Sequence, residues 1–256
     1  YKVATELAVE LTDGERARAL ARYTDNLEAW QVHLRANQTF VRHKKESNIH
    51  ARELYTRALR LDPQFLPSFH GLAWTHFFDA RMGWTESRKN SFDLAVEYAN
   101  KALAIDDTYW GAYSMLCTIH LFKREFEKAE EYFKKAGLHA PATTDFYALR
   151  AFQLNYLGKP HQAITHFQEA MRLSPFYPAW YLYHLWLAYH LTGEYEKAIE
   201  TLKKALERTP NSIFPHPRLA MIYSDLGRMQ EARTEAAEVL RINPEFTIEG
   251  WAKANP

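Results

Sequence analysis

An all-α solenoid of about six stacked helix pairs, with a flanking helix at each end, is the fold that this 256-residue sequence predicts. Three periodic features predict it. A seven-residue Ala…Ala frame recurs at Ala95/Ala102, Ala129/Ala136, Ala163/Ala170 and Ala198/Ala205, at intervals of 34, 34 and 35 residues. Pro141, Pro175, Pro210 and Pro244 keep the same beat, each just past an apolar helical stretch, where a fixed φ and a missing N–H stop a helix. Gly158, Gly193 and Gly227 fall at the turn inside a pair, where a residue without Cβ leaves a helix at positive φ. Self-similarity at this period marks units that bury their apolar faces only against their neighbours.

The elements follow in order. Residues 1–25 form an N-terminal flanking segment: 3–22 reads as an amphipathic helix broken near Thr12, Asp13 and Gly14, with Thr12 and Glu15 at capping-box spacing. Residues 26–244 form the solenoid, divided into repeats at 26–62, 63–106, 107–141, 142–175, 176–210 and 211–244. In the third, Ala112 to Cys117 opens helix A, Arg124, Glu125 and Phe126 turn the chain, and Lys128 to Ala136 forms helix B. Apolar residues three and four apart give each helix one buried stripe. Ala73, Cys117, Ala151 and Ala220 are the small residues at which helix A approaches helix B. Trp186 stands at that place in the fifth repeat, so either the register shifts or the packing opens there. The first repeat carries extra residues between its helices at 42–48, and the second carries ten more near 81–90. Those ten either bulge as a loop or lengthen the helices. Residues 245–256 form a C-terminal cap in which Phe246, Ile248 and Trp251 cover the last repeat.

Composition narrows the function. Lys+Arg 32 against Asp+Glu 31 leaves a formal charge of +1, which gives no global field for nucleic acid or an anionic membrane. The paired lysines 134–135 and 203–204 trace a modest stripe interleaved with acids, so no nucleic-acid and no membrane partner is expected. One cysteine, Cys117, excludes an intrachain disulfide and reads as a buried packing thiol. No run of 18 apolar residues spans a bilayer. The start at Tyr1, without Met or a signal-peptide pattern, suggests a fragment, and cytoplasmic location is the default.

Catalytic and metal signatures are missing from the sequence. It holds no phosphate loop, dinucleotide fingerprint, zinc helix, nucleophile elbow or EF-hand loop. The pairs His43/His50 and His184/His190 are seven and six residues apart without a third ligand at diagnostic spacing, so no metal and no cofactor is expected. Acidic pairs such as Glu130 and Glu131 sit among lysines, as solvated helix faces do.

The combined alanines, turn residues and terminal prolines over residues 26–244 resemble the tetratricopeptide repeat family. That resemblance implies a right-handed superhelix whose inner wall is lined by helix A positions two, five, nine, twelve and thirteen, with the small residue as eight. Carried onto this chain, it implies partner-binding roles for His70, Trp74, Phe78, Phe122, Phe152, Asn155, Tyr156, Tyr183 and His190. These rings either line a recognition groove or pack between helices or beneath the N-terminal segment. A narrower resemblance is to tetratricopeptide regions C-terminal to the catalytic modules of bacterial class III adenylate/guanylate cyclase-like proteins. It rests on residues 23–30, 71–74 and 174–181, none of which belongs to a catalytic centre. The expected function is a noncatalytic scaffold, mostly monomeric, that binds a protein, a peptide or an upstream domain of the same polypeptide. The alternatives are a regulatory segment of a cyclase-like signalling enzyme, and an oligomerisation module that uses the N-terminal helix or Gly83 and Trp84.

Overall fold

The computed structural model describes residues 23–42, 44–140, 143–175, 177–210 and 212–253. The helix expected over 3–22, together with His43 and Pro141, lies outside them. Among the described residues there are thirteen α-helices and no strand. The chain divides into two compact lobes, the first up to Pro141 and the second over Ala142–Ala252.

The first lobe holds three antiparallel pairs: α1 (Leu27–Phe40) with α2 (Lys45–Leu61), α3 (Leu66–Met82) with α4 (Arg88–Ile105), and α5 (Trp110–Phe122) with α6 (Phe126–His139). The second holds α7 (Thr144–Tyr156) with α8 (Pro160–Leu173), then α9 (Leu182–Leu191) with α10 (Tyr195–Arg208), and α11 (Pro215–Asp225) with α12 (Met229–Ile242). A 3-10 turn, Ala179–Tyr181, leads into α9, and the short α13 (Ile248–Lys253) follows α12.

The alanine frame is the seam of each pair. Every one of its eight members is buried, as are Ala51 and Ala58 of α2. A methyl group at these positions lets two backbones approach within about 8–10 Å. Cys117 is buried in the same seam, as a packing thiol should be. Of the prolines expected to stop helices, Pro175, Pro210 and Pro244 each follow directly on the C-cap residue of a B helix, namely Ser174, Thr209 and Asn243, and Pro63 follows Asp62 at the end of α2 in the same way.

The A-to-B turns share one hydrogen-bond pattern. The amides of Glu125, Lys159, Glu194 and Arg228 reach back to the carbonyls of His120, Leu154, Tyr189 and Tyr223, the long bond of a Schellman-type helix end. That motif needs one left-handed residue, and Gly158, Gly193 and Gly227 supply it with φ of 70°, 78° and 71°. In the third repeat the position is taken by Arg124 at φ 60°. An L side chain in this region costs about 1 kcal/mol. Arg124→Gly should therefore raise stability by about 0.5–1 kcal/mol in urea unfolding, and a destabilised variant would show that the Arg124 side chain matters more than its backbone.

The ten extra residues of the second repeat lengthen its helices. α3 and α4 have 17 and 18 residues where α5 and α6 have 13 and 14, so each gains four. The connection, residues 83–87, gains the remaining two over residues 123–125. In the first repeat, residues 45–48, expected between the helices, form the first turn of α2. The register holds at Trp186, because the turn that follows repeats the same hydrogen bonds. Trp186 is buried in one core cluster with Leu202, Leu219 and Ile222, which spans two repeats. Ala220, expected in the seam, is partly exposed. The terminal cap is partial: Phe246 and Trp251 are partly buried, whereas Ile248 is 77% exposed.

Candidate partner-binding site

α3 carries the most distinctive surface of the first lobe. Leu72, Ala73, Thr75, His76, Phe77, Asp79 and Ala80 are buried, whereas His70, Trp74, Phe78 and Arg81 are partly exposed. Spacings of four, four and three residues place these four along one stripe of the helix. The indole of Trp74 lies 6.1 Å from the His70 ring and 6.1 Å from Phe78, with Phe77 behind it at 5.3 Å. Phe40 of α1 meets Phe78 edge-on at 5.1 Å, and the Arg81 guanidinium lies 5.8 Å from the Phe78 ring and 5.3 Å from Phe122. The cluster thus presents large aromatic area with one cation above it.

The polar end of the stripe is fixed in tautomer. Trp74 Nε1 donates to His70 Nε2 at 2.9 Å, and because an indole N–H only donates, that imidazole nitrogen carries the lone pair. Burial pushes the His70 pKa down to about 4, which keeps the ring neutral and the acceptor available. One repeat earlier the same device recurs: counting from Ala36 as the small residue puts His33 and Asn37 at the positions of His70 and Trp74. There Asn37 Nδ2 faces His33 Nε2 at 3.0 Å, while His33 Nδ1 lies 3.0 Å from Ser68 Oγ.

Of the other residues expected at the site, Phe122 joins the α3 cluster from α5 but is buried, with its ring 4.8 Å from Phe77. In the second lobe, Phe152, Asn155 and Tyr156 come together on α7. The Phe152 ring lies 5.0 Å from Tyr156 and 4.6 Å from His184. Asn155 Nδ2 donates to the His184 carbonyl at 2.9 Å, and its buried amide oxygen has no hydrogen-bond partner among the described residues. Phe152 and Asn155 are buried, so Tyr156 is the partly exposed member.

Tyr183 and His190 have other neighbours. The Tyr183 hydroxyl lies 2.7 Å from Thr209 Oγ1 and donates to Ser212 Oγ at 3.0 Å, tying α9 to the following repeat. His190 packs between Trp186 and Tyr195 at 5.7 and 5.4 Å. The inner-wall pattern, applied from the second repeat onward, misses Phe40. The same count from Ala36 reaches it at position twelve. His184 and Arg81 fall outside the pattern altogether, and only packing reveals them. Among the described residues no three His, Cys, Asp or Glu side chains converge to hold a metal. No helix among them is long and apolar enough to cross a membrane.

Comparison with known proteins agrees with the helix-pair architecture. Residues 144–211 and 218–246 match family profiles described as Tetratricopeptide repeat. Over 169 residues the chain is 25% identical to the transcriptional regulator HilA of Salmonella typhimurium, an alignment covering 66% of this chain and 30% of HilA. The chain thus spans about a third or less of that relative's length. Among solved structures, the APC/C hetero-tetramer Cut9-Hcn1 superposes with a TM-score of 0.65 at 20% identity, covering 89% of this chain and 46% of that one. The human IFIT1 dimer with m7Gppp-AAAA superposes with a TM-score of 0.66 at 17% identity, covering 77% and 46%. These likenesses establish the helix-pair solenoid as the fold. The chain carries tetratricopeptide repeats in residues 144–211 and 218–246, and its earlier helix pairs are built on the same plan.

Proposed function

We propose that this chain is a noncatalytic scaffold that takes a protein or peptide partner on the helix A side of its repeats. The observation that carries this reading is the stripe of His70, Trp74, Phe78 and Arg81, half-open on a helix most of whose other residues are buried. Rigid aromatic rings with an arginine are the residue types that dominate binding energy at interfaces. The second lobe carries a partly exposed aromatic of its own in Tyr156, beside Phe152. A partner that reads such anchors is an extended peptide or an amphipathic helix with apolar side chains at regular spacing.

A peptide selected from a displayed library against the folded chain provides the test. Trp74→Ala combined with Tyr156→Ala should weaken its affinity at least tenfold, since one such anchor contributes about 2 kcal/mol. Unchanged affinity in a variant with native helicity would remove this surface from consideration.

A second reading concerns context. Similarity to under a third of a transcriptional regulator favours a regulatory module carried in a larger signalling protein, of which a cyclase-like arrangement is one form. A cytoplasmic, monomeric module belongs to the same proposal, and light scattering across a concentration series checks the monomer. A dimer that persists at low micromolar concentration and is lost on Trp84→Ala would favour the oligomerisation role instead.

A further inference from the structure

The first lobe separates charge along its helices. Its A-to-B turns lie together at one end: Phe40 of α1 meets Phe78 of α3 at 5.1 Å, the Arg81 guanidinium lies 5.3 Å from Phe122 of α5, and Lys123 Nζ lies 4.0 Å from Asp93 of α4. That end is basic. Arg42, Lys44, Lys45, Arg88 and Arg124 are exposed there and form no ion pair among the described residues. Glu46, Glu86 and Glu127 offset them only in part. The other end gathers the chain entry and the B-to-A turns: Asn26 Nδ2 donates to the Leu61 carbonyl at 3.0 Å, and Tyr23 meets Tyr109 at 5.6 Å. It is acidic. Asp25, Asp62, Asp106 and Asp107 form no ion pair among the described residues, Asp62 and Asp106 accepting from the amides of Gln64 and Thr108. Arg60 is the one cation in residues 23–26, 60–67 and 104–111.

Local helix energetics do not call for the basic end. Lys44 and Lys45 stand at the N-cap and first position of α2, and Arg88 and Lys89 open α4, where the helix dipole favours anions. Charges placed against a local preference mark a demand from outside the helix. In the second lobe, Glu194 and Arg228 at the equivalent turns are ion-paired with Lys197 and Glu231. The half-open stripe joins the two ends of the first lobe. His70 lies 6.3 Å from Tyr109, which follows the aspartates 106 and 107. Arg81 stands at the basic end, about 16 Å farther along α3 at 1.5 Å per residue. Beside the stripe, His33 of α1 and Ser114, Thr118 and Phe122 of α5 are buried. The exposed aromatic path therefore runs along α3, from the acidic end to the basic one.

We infer that the first lobe selects and orients its partner by charge: a peptide segment lies along α3 with apolar side chains on Trp74 and Phe78, its acidic end at Lys44, Lys45, Arg81 and Arg88 and its basic end at Asp106 and Asp107. The inference rests on the scaffold reading in taking this stripe as the docking surface, and it adds the partner's chemistry and direction. Opposite charges at the two ends of one path fix register and suppress the reversed pose. A nucleic acid, anionic along its whole length, would meet the aspartates at one end, so the partner is a peptide.

Selection of random peptides about twelve residues long on the full chain, at about 0.1 M salt, tests it. Binders should carry Asp or Glu at one end and Lys or Arg at the other. A photocrosslinker on the acidic end should attach to residues 81–89, and one on the basic end to residues 104–109. Salt at about 1 M, where the screening length falls to about 3 Å, should weaken such a binder at least about fivefold. Lys44→Glu with Lys45→Glu and Arg88→Glu should do the same at low salt with native helicity kept, since anions suit those helix starts. Lys203→Glu with Lys204→Glu, in the second lobe, should leave affinity unchanged. Binders without an end-to-end charge difference overturn the inference, as do crosslinks in the reversed direction or a single-stranded oligonucleotide that binds as tightly. The two readings fail separately. If binders show no charge difference yet lose affinity on Trp74→Ala with Tyr156→Ala, the scaffold reading stands and this inference falls. If oriented, salt-sensitive binding survives Trp74→Ala with Tyr156→Ala, the charge axis stands and the aromatic anchors of the scaffold reading fall. A library that yields no binder removes both.

Discussion

Lowering the pH from 7 to 5 should destabilise the first lobe by roughly 4 kcal/mol, because three of its histidines are held neutral by the fold. His33 is buried, and burial with the nearby His70 lowers its pKa to about 3. His70 and His76 are lowered to about 4, both chiefly by burial, with Arg52 adding to the effect on His76 and Asp79 and Glu97 opposing it. The hydrogen bonds require the same protonation state. Tyr55 donates to Asn37 Oδ1 at 2.6 Å, which leaves Asn37 Nδ2 facing His33 Nε2 as a donor. A proton on His33 Nε2 would point donor at donor. Since the folded values lie below the unfolded 6.5, the unfolded chain binds more protons as the pH drops. Stability is full above 6.5 and is lost as the pH falls toward 4 for His70 and His76 and toward 3 for His33. Each group accounts for about 2 kcal/mol by pH 5, and His70, partly exposed, is discounted for solvent screening. Urea unfolding at pH 7 and pH 5 measures the loss, and His33→Asn should shrink the difference by about 2 kcal/mol. Equal stability at the two pH values would show that these imidazoles are not neutral in the folded lobe.

The sequence revealed the repeat plan because burial by stacking leaves a period. Ala95 to Ala205 and the prolines that follow the B helices of every repeat but the second lie where one helix must touch or leave another, so their spacing could be read without coordinates. The fate of the ten inserted residues was not legible. Arg81 and Met82 continue α3, and Arg88 to Asn90 begin α4, because their apolar neighbours extend the seam instead of interrupting it. The wall was legible in part. His70, Trp74 and Phe78 fall on one face by count alone, but the burial of Phe152 and Asn155 depends on how His184 approaches from another repeat. The Tyr55, Asn37, His33 and Ser68 chain was missed entirely. Its members come from α1, α2 and α3, and no spacing links positions 33, 37, 55 and 68.

Gly71→Ala should cost the first lobe about 2 kcal/mol, although alanine is ordinarily the better helix residue by about 1 kcal/mol. A Cβ at Gly71 would lie 2.4, 2.5 and 2.7 Å from three atoms of the Tyr55 ring. At such distances either the ring or the backbone must move. The Tyr55 ring has little freedom to do so, being 2% exposed, with its hydroxyl held by Asn37 and its face 5.4 Å from His33. Displacing it adds a broken buried hydrogen bond, about 1 kcal/mol, to an overpacking cost of about 1–3 kcal/mol. The prediction separates clash from propensity through a double-mutant cycle. Tyr55→Leu alone should destabilise by loss of the ring and of the hydroxyl's partner, yet in that background Gly71→Ala should cost far less, a coupling of about 1–3 kcal/mol. Urea unfolding of the four proteins checks it. If Gly71→Ala stays within about 0.5 kcal/mol of the parent, or its cost is the same beside Leu as beside Tyr, the close approach of α3 to α2 at Gly71 is not what holds that seam.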